Sequence, residues 1–177
     1  MDIYKKDDTR IYDCVYYVYF THNLSDPYCC FSHRYISPFT YTDGISYISL
    51  EQYMLKEKAL LFNVDGQNIT LIDDIMKAKS HFDMISLYPL IKGYDKQTWH
   101  YALLGVLNKG NMMKFTQNKH LLELLISTRE SIVVYSDSVD QVLGIGIDYF
   151  DGMCKNDWNG LNLMGKSLIH IRDTLTC

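Results

Sequence analysis

Tyr47-Ile48-Ser49-Leu50-Glu51-Gln52-Tyr53-Met54 is the stretch that decides the fold prediction, because it contains a clear helix start. Ser49 followed three residues later by Gln52 forms a capping box, so we predict a helix that begins at Ser49. If this helix runs to about residue 62, the following residues lie at helical same-face spacings from Glu51: Met54, Leu55, Lys58 and Phe62. Glu51 is therefore predicted to lie within an apolar stripe.

A carboxylate in such a position has two interpretations. A carboxylate that faces a core needs hydrogen bonds, a partner charge or a raised pKa, and these properties suit an acid–base group in a site. Alternatively, Glu51 at the second helical position merely complements the positive end of the helix dipole. The pattern alone leaves both interpretations open.

The composition is that of a globular protein. The chain has 177 residues, 47% of them apolar, and a net charge of −4, so we expect one domain over residues 1–177. The negative charge argues against wholesale non-specific DNA binding but allows a local basic cleft. No stretch is apolar enough to span a bilayer and no signal peptide is apparent, so we expect a cytoplasmic protein with no membrane partner.

Cysteine and histidine spacings argue against metal and disulfide sites. The five cysteines include no CxxC pair, and the six histidines form no HxxxH or HExxH motif. We therefore expect no metal site and no disulfide framework, in a reducing compartment. Cys29-Cys30 near His33 is only a weak candidate for a thiol nucleophile, because no activating environment is visible.

Other local signals predict an α+β domain, with several helices packed on a small, mostly antiparallel sheet. Residues 11–20 and 131–135 are rich in aromatic or β-branched side chains and are predicted strands. Asp43-Gly44 between short alternating runs predicts a β-hairpin. A short helix is predicted over about residues 70–80, and a longer one, capped by Asp95, from about Lys96 to Lys109, with an end weakened by Asn108 and Gly110. Two more helices are predicted after the caps Asn118 and Asn162.

Two C-terminal segments contain candidate ligand-binding residues. Residues 143–147, LGIGI, lack the third glycine of a dinucleotide fingerprint, although Gly144 and Gly146 would let backbone N–H groups approach a phosphate. A tight turn after the preceding strand is the alternative. Trp158 is suited to stacking on a base and Asn162 to binding ribose hydroxyls, while core packing and an ordinary helix N-cap are the structural alternatives.

These segments, in this order, resemble the NADAR superfamily, the YbiA-like N-glycosidases. Residues 31–39, FSHRYISPF, are similar to the family's FSNFYPSPF, and residues 50–54, LEQYM, to its vEQYM. Similar short matches are residues 58–62 (KALLF) to KAxxF, 114–118 (KFTQN) to KFxQN, and 124–128 (LLIST) to LLxTg. Asp140 with Gly144-Ile145-Gly146 resembles DxxWGIG, and residues 158–165 with Arg172 resemble WxGxNlLGxxLmxvR. The resemblance covers about residues 15–172.

The chain departs from the family pattern at several positions of the expected site. Leu143 stands where the family has Trp, and Tyr135 where it has an acidic residue. Tyr88-Pro89 replaces the family's GR, and His33 replaces an Asn. These departures make loss of hydrolysis an alternative to retained activity.

The resemblance implies an N-glycosidase or ADP-ribosyl hydrolase. Its substrate would be ADP-ribosylated guanine or a ribosylamino-pyrimidine phosphate, so the partner is a nucleotide-derived small molecule or an ADP-ribosylated nucleic acid. The implied mechanism uses carboxylates beside an oxocarbenium-like carbon and needs no cofactor or metal. The implied roles are catalysis by Glu51 and Asp140, base stacking by Tyr47 or Trp158, ribose binding by Asn162, and phosphate contact by Lys58, Arg172, Gly144 and Gly146.

Two other functions remain open. A protein that binds ADP-ribose or a related nucleotide without hydrolysing it would act as a sensor or sponge, and a plain protein-interaction domain would leave Glu51 as a structural residue. The hydrolase hypothesis predicts that Glu51, Asp140, Trp158 and Asn162 line one pocket.

Overall fold

A computed structural model of the chain describes residues 16–148 and 158–176. In order, the strands and helices are β1 (Tyr17–Phe20), β2 (Ile36–Thr40), β3 (Ser46–Ser49), α1 (Leu50–Leu61), α2 (Ile69–Lys77), α3 (His81–Leu87), α4 (Lys96–Gln117), α5 (Lys119–Ser127), β4 (Ile132–Tyr135) and α6 (Leu163–Thr176). Short 3-10 turns lie at Cys29–Phe31, Val64–Gly66 and Tyr88–Leu90. The α+β class is confirmed. Residues 11–15 of the first predicted strand lie outside the described residues.

The described strands form two pairs. β2 and β3 are antiparallel and enclose the predicted Asp43-Gly44 turn, in which Gly44 has a φ of 81°. β1 and β4 are parallel, with Tyr17 opposite Ile132, and α6 packs against β4. The antiparallel hairpin leads directly into α1, so the hairpin sets the direction of that helix.

The start of α1 confirms the capping prediction. Ser49 Oγ accepts a hydrogen bond from the Gln52 N–H at 3.2 Å, and Gln52 Oε1 accepts one from the Ile48 N–H at 2.9 Å. Gln52 Nε2 also donates to the carbonyl oxygens of Ile75 and Ala78, at the end of α2. The capping residues therefore fix both the start of α1 and its packing against α2.

Two helix predictions need correction. α4 continues through Gly110 to Gln117, because Gly110 is a packing residue: a Cβ there would collide with the Leu50 and Tyr53 side chains of α1. α3 was not predicted, although Ser80 caps it by accepting a hydrogen bond from the Asp83 N–H at 3.2 Å. The close helix contact at Gly110 is one reason why α1 and α4 together form one wall of a cleft.

Asn118 does not cap α5 through its side chain. Its Nδ2 donates to the carbonyl oxygens of Lys114 (2.7 Å) and Pro38 (3.2 Å), which ties the end of α4 to β2.

In the part of the chain that the structure describes, no helix is both long and apolar enough to cross a membrane.

Candidate functional site

A cleft of about 350 Å³ opens between α1, α3, the start of α4 and the loop that follows β4. This volume lies within the range of small-molecule sites. Its lining is rich in aromatic rings and charged groups: His33, Arg34, Glu51, Met54, Lys58, His81, Ile85, Tyr88, Tyr94, Lys96, Trp99, His100, Leu103, Asp140, Val142 and Leu143. The structure therefore brings together two of the predicted carboxylates, Glu51 and Asp140.

Glu51 is held in this cleft by His81. The two residues occupy early positions of α1 and α3, and His81 Nδ1 lies 2.9 Å and 3.0 Å from the two carboxylate oxygens of Glu51. Glu51 is 2% exposed. Burial raises the pKa of the Glu51 carboxyl, while the charge and hydrogen bond of His81 oppose that increase. The pair thus provides a desolvated carboxylate with a fixed orientation.

Asp140 reaches the cleft from the loop after β4. Its Oδ1 accepts hydrogen bonds from the N–H groups of Val142 (2.9 Å) and Leu143 (2.8 Å). Its own N–H donates to Asp137 Oδ1 at 3.0 Å. Asp140 therefore shapes the turn that carries Leu143 into the cleft wall, besides placing a carboxyl group there.

Lys58 lies seven residues, about two helical turns, beyond Glu51 on α1, among aromatic rings. Its Nζ is 4.0 Å from the ring centre of Tyr94, 5.5 Å from that of Tyr88 and 5.6 Å from that of Trp99. Burial lowers the pKa of Lys58. These cation–π contacts keep a positive charge at an apolar wall where a base or sugar ring can also pack.

Tyr88 lines the same cleft as the carboxylates Glu51 and Asp140. Its pKa is raised first by burial and then by the negative charges of Glu51 and Asp140. The 3-10 turn Tyr88–Leu90 thus brings a neutral phenol to the cleft at the position where the family pattern has GR.

His33 and Arg34 enter the cleft from the loop before β2. The Glu51 N–H donates to the His33 carbonyl oxygen at 2.9 Å, so this loop is fixed to the first turn of α1. Burial, and then the Arg34 charge, lower the pKa of His33 to about 3, which makes it a neutral imidazole near pH 7. Among the described residues, neither His33 Nδ1 nor Arg34 Nε has a hydrogen-bond partner, although both atoms are buried.

Trp158 and Asn162 are not among the residues that line this cleft, contrary to the prediction of one shared pocket. Trp158 packs edge-on against Tyr17 and Tyr19 of β1. Asn162 Oδ1 accepts from the Tyr135 N–H at 3.0 Å, and its Nδ2 donates to the Val133 carbonyl oxygen at 3.0 Å. The Asn162 amide therefore braces β4 instead of facing a ligand.

Four other candidate residues also lie outside the cleft lining: Tyr47, Arg172, Gly144 and Gly146. Tyr47 is 1% exposed, and its hydroxyl oxygen accepts a hydrogen bond from Lys56 Nζ at 2.7 Å. Arg172 Nη1 donates to Thr128 Oγ1 and to the Ser131 carbonyl oxygen, which fixes the turn between α5 and β4.

Gly144 and Gly146 form the predicted alternative, a tight turn. A Cβ at Gly144 would lie 2.9 Å from the carbonyl oxygens of Asp140 and Tyr135. Gly146 has a φ of 71°, which glycine adopts without strain. The turn itself therefore accounts for both glycines.

Sequence reasoning missed His81, Arg34 and Tyr94 as site residues, and it assigned no role to Trp99. One usable signal was the run Ser80-His81-Phe82-Asp83, in which Ser and Asp three residues apart mark a helix start.

Within residues 16–148 and 158–176, no group of three or more His, Cys, Asp or Glu side chains is placed to hold a metal ion.

Comparison with known proteins gives consistent matches. A family model described as the NADAR domain matches residues 19–176. N-glycosidase R617 of Acanthamoeba polyphaga mimivirus is 30% identical over 129 residues, which cover 72% of this chain and 74% of that protein. Protein irg-1 of Caenorhabditis elegans is 27% identical over 129 residues, or 71% of this chain and 59% of that protein.

A solved structure has the same fold. The NMR structure of the E. coli protein YbiA matches 91% of this chain and 85% of its own chain, with a TM-score of 0.72 and 22% identity.

Proposed function

This chain belongs to the NADAR domain family, and from that membership and the geometry of its cleft we propose that it is an N-glycosidase. The bond cleaved joins a nitrogen to ribose in a nucleotide-derived substrate, either ADP-ribosylated guanine or a ribosylamino-pyrimidine phosphate. The relative named N-glycosidase R617 supports this reaction class. The observation that carries the proposal is the Glu51–His81 pair in an aromatic, charged cleft.

The chemistry requires a negative group close to the sugar. As the bond from C1′ to nitrogen breaks, positive charge develops on the ribose ring, and a desolvated carboxylate stabilises it strongly. Glu51 is that carboxylate, or the base that takes a proton from the attacking water. The water oxygen bonds to C1′ and gives up one proton, while the bonding electrons and a proton go to the departing nitrogen. The products are the base with its N–H restored and a ribose with a hydroxyl group at C1′.

The remaining cleft residues have supporting roles. Asp140 is the second carboxylate and orients water or ribose. Tyr88, Tyr94 and Trp99 give apolar surfaces for a base, a role that Trp158 and Tyr47 do not have the position to fill. Lys58 adds positive charge for a phosphorylated substrate.

The decisive experiment is Glu51→Gln, which keeps shape and hydrogen-bonding capacity but removes the charge. Turnover is expected to fall about 100-fold or more, while substrate binding is retained. Guanine-ADP-ribosylated DNA and a ribosylamino-pyrimidine phosphate are presented separately, and release of the ribosyl product is followed. Glu57→Gln is the matched control, since Glu57 lies on the same helix but does not line the cleft.

Binding without hydrolysis is the second candidate function, and Leu143 favours it. Leu143 lines the cleft wall at the position where the family pattern has Trp. Measurable ADP-ribose binding by the wild-type chain with no turnover of either substrate would support this candidate. Gain of hydrolysis in Leu143→Trp would then identify the lost aromatic residue as the cause.

Unchanged turnover in Glu51→Gln would remove Glu51 from the mechanism.

A further inference from the structure

Arg34 is a half-buried cation of the cleft that forms no ion pair with any residue the structure describes. No described residue accepts a hydrogen bond from its guanidinium group, and its Nε is buried. A guanidinium group offers five N–H donors in a rigid fork, and leaving one of them, the Nε–H group, buried and unpaired lowers stability. An unpaired arginine of this kind indicates a ligand with acceptor oxygens.

The carboxylates around the cleft have hydrogen-bond partners other than Arg34. Both oxygens of Glu51 lie within hydrogen-bond distance of His81 Nδ1. Asp137 accepts from the N–H groups of Val139 and Asp140 and from the Tyr135 hydroxyl. Arg34 forms an ion pair with neither Glu51 nor Asp137, although its charge opposes the rise that burial causes in the pKa of Glu51. Its hydrogen-bonding capacity is thus left for a bound molecule.

Arg34 also lies where the cleft meets a second cavity. A second cavity of about 490 Å³, which we call the second lobe, adjoins the cleft and is lined in part by His22, Ser136, Asp137 and Ser138. Arg34, His81 and Ile85 line both spaces. A ligand that lies at the Glu51–His81 pair and extends into the second lobe therefore passes Arg34.

The position of Arg34 is fixed by the backbone around it. The preceding residue, His33, is bonded through its carbonyl oxygen to the Glu51 N–H. Fully buried Lys114 donates to the carbonyl oxygens of Cys30 (2.7 Å) and Ser32 (2.9 Å) in the same loop. The backbone that carries Arg34 is therefore anchored next to Glu51.

Charge in the cleft favours an anion. Arg34, Lys58 and Lys96 line it together with the carboxylates Glu51 and Asp140, so positive groups exceed negative ones in a chain whose net charge is −4. Phosphate oxygens match the guanidinium fork in a bidentate contact. Arg34 stands where the FSNFYPSPF pattern has Phe.

We propose that Arg34 binds the phosphate carried by the substrate's ribose through a bidentate contact, and so selects phosphorylated ribosyl substrates. This inference rests on the proposed function for the identity of the substrate, but it is tested by binding alone. It assigns to Arg34 the phosphate contact that the sequence suggested for Arg172.

The test uses ribose 5-phosphate and ribose as probes, with calorimetric titration of the full chain. The wild-type chain is expected to bind ribose 5-phosphate at least ~10-fold more tightly than ribose, as a charge-assisted contact predicts. Arg34→Gln should abolish that preference, and Arg34→Lys should retain only part of it, since lysine keeps the charge without the planar fork. Arg129→Gln is the matched control, because it removes an exposed arginine that lines neither the cleft nor the second lobe.

The outcomes separate the two proposals. Equal preference in wild type and Arg34→Gln, or no preference in wild type, would overturn the role of Arg34. If Arg34→Gln fails to fold, an undiminished preference in Arg34→Lys would overturn the bidentate contact. A merely structural role for Arg34 would lower the melting temperature of Arg34→Gln without changing the preference. Loss of preference in Arg34→Gln, with no base release by wild type, would instead remove the proposed N-glycosidase and leave the Arg34 contact standing.

Discussion

The first turns of α1 and the segment from Trp158 to Arg172 both carry family-like motifs, yet the structure uses them differently. Burial does not separate them, since Glu51 is 2% exposed and Asn162 is 6% exposed. Their partners do. Glu51 is bonded to the side chain of another cleft residue, His81, whereas Asn162 is bonded to the backbone of β4.

This difference has a physical basis. A polar side chain that pairs with strand backbone satisfies groups that would otherwise be buried and unpaired, so its value lies in stability. A carboxylate that pairs with one titratable side chain in a cleft keeps lone pairs for a ligand and a pKa that its neighbour adjusts. We therefore expect substitutions in α1 to change activity and substitutions in the C-terminal segment to change stability.

Asn162→Ala should give the largest stability effect. It leaves the Tyr135 N–H and the Val133 carbonyl oxygen unpaired and places alanine at a φ of 52°. The free energy of unfolding should fall by about 2–5 kcal/mol, measured by urea denaturation. Asn162→Gly removes the same hydrogen bonds but suits the backbone, so it should be less destabilising. A stable Asn162→Ala variant with lost nucleotide binding would reverse the comparison and place Asn162 in the site.

Lys58→Met and Arg172→Met form a pair that sharpens the comparison, because the sequence suggested phosphate contact for both cations. Arg172→Met should lower the free energy of unfolding by about 1–3 kcal/mol, since Thr128 Oγ1 and the Ser131 carbonyl oxygen lose their donor. Lys58→Met should raise KM about 10-fold with little loss of stability, because it removes a partly desolvated charge from the cleft wall. Steady-state kinetics and thermal melting of both variants measure the contrast. Weakened binding in Arg172→Met at unchanged stability would contradict it.

Local signals in the sequence predicted the elements, whereas contacts between distant elements determined what was missed. The Ser49 cap and the Asp43-Gly44 turn depend on residues a few positions apart, and both were read correctly. Gly110 resembles a helix end locally, but its role is contact with α1, which the local pattern does not encode. The same limit explains why periodicity predicted that Glu51 is buried but did not predict its pairing with His81, thirty residues away.

The C-terminal motif, residues 158–165, shows a second limit of prediction from sequence. Trp158 and Asn162 match the family pattern as well as Glu51 does, but a match does not distinguish a residue that binds ligand from one that braces a strand. Only the partners of the Asn162 amide, on β4, identify its role.

His81→Asn should give the smallest effect, a shift in pH dependence. Burial raises the pKa of Glu51, and His81 opposes this through its charge and hydrogen bond, so losing the imidazole should raise that pKa further. If Glu51 acts as the ionised base, kcat/KM falls as pH decreases through its pKa, and this acid limb should move to higher pH in His81→Asn.

The same change affects stability. A carboxyl group whose pKa is raised on folding stabilises the folded protein at pH values below its unfolded pKa of 4.5. That contribution is lost as the pH rises through the folded pKa. Stability should therefore decline over a wider pH range in the variant. The pH profile of kcat/KM and melting temperatures measured across the same range test both effects, with His170→Asn, exposed on α6, as the control. An acid limb that stays in place or moves to lower pH would show that His81 does not set the ionisation of Glu51, and the contrast between α1 and the C-terminal segment would then rest on geometry alone.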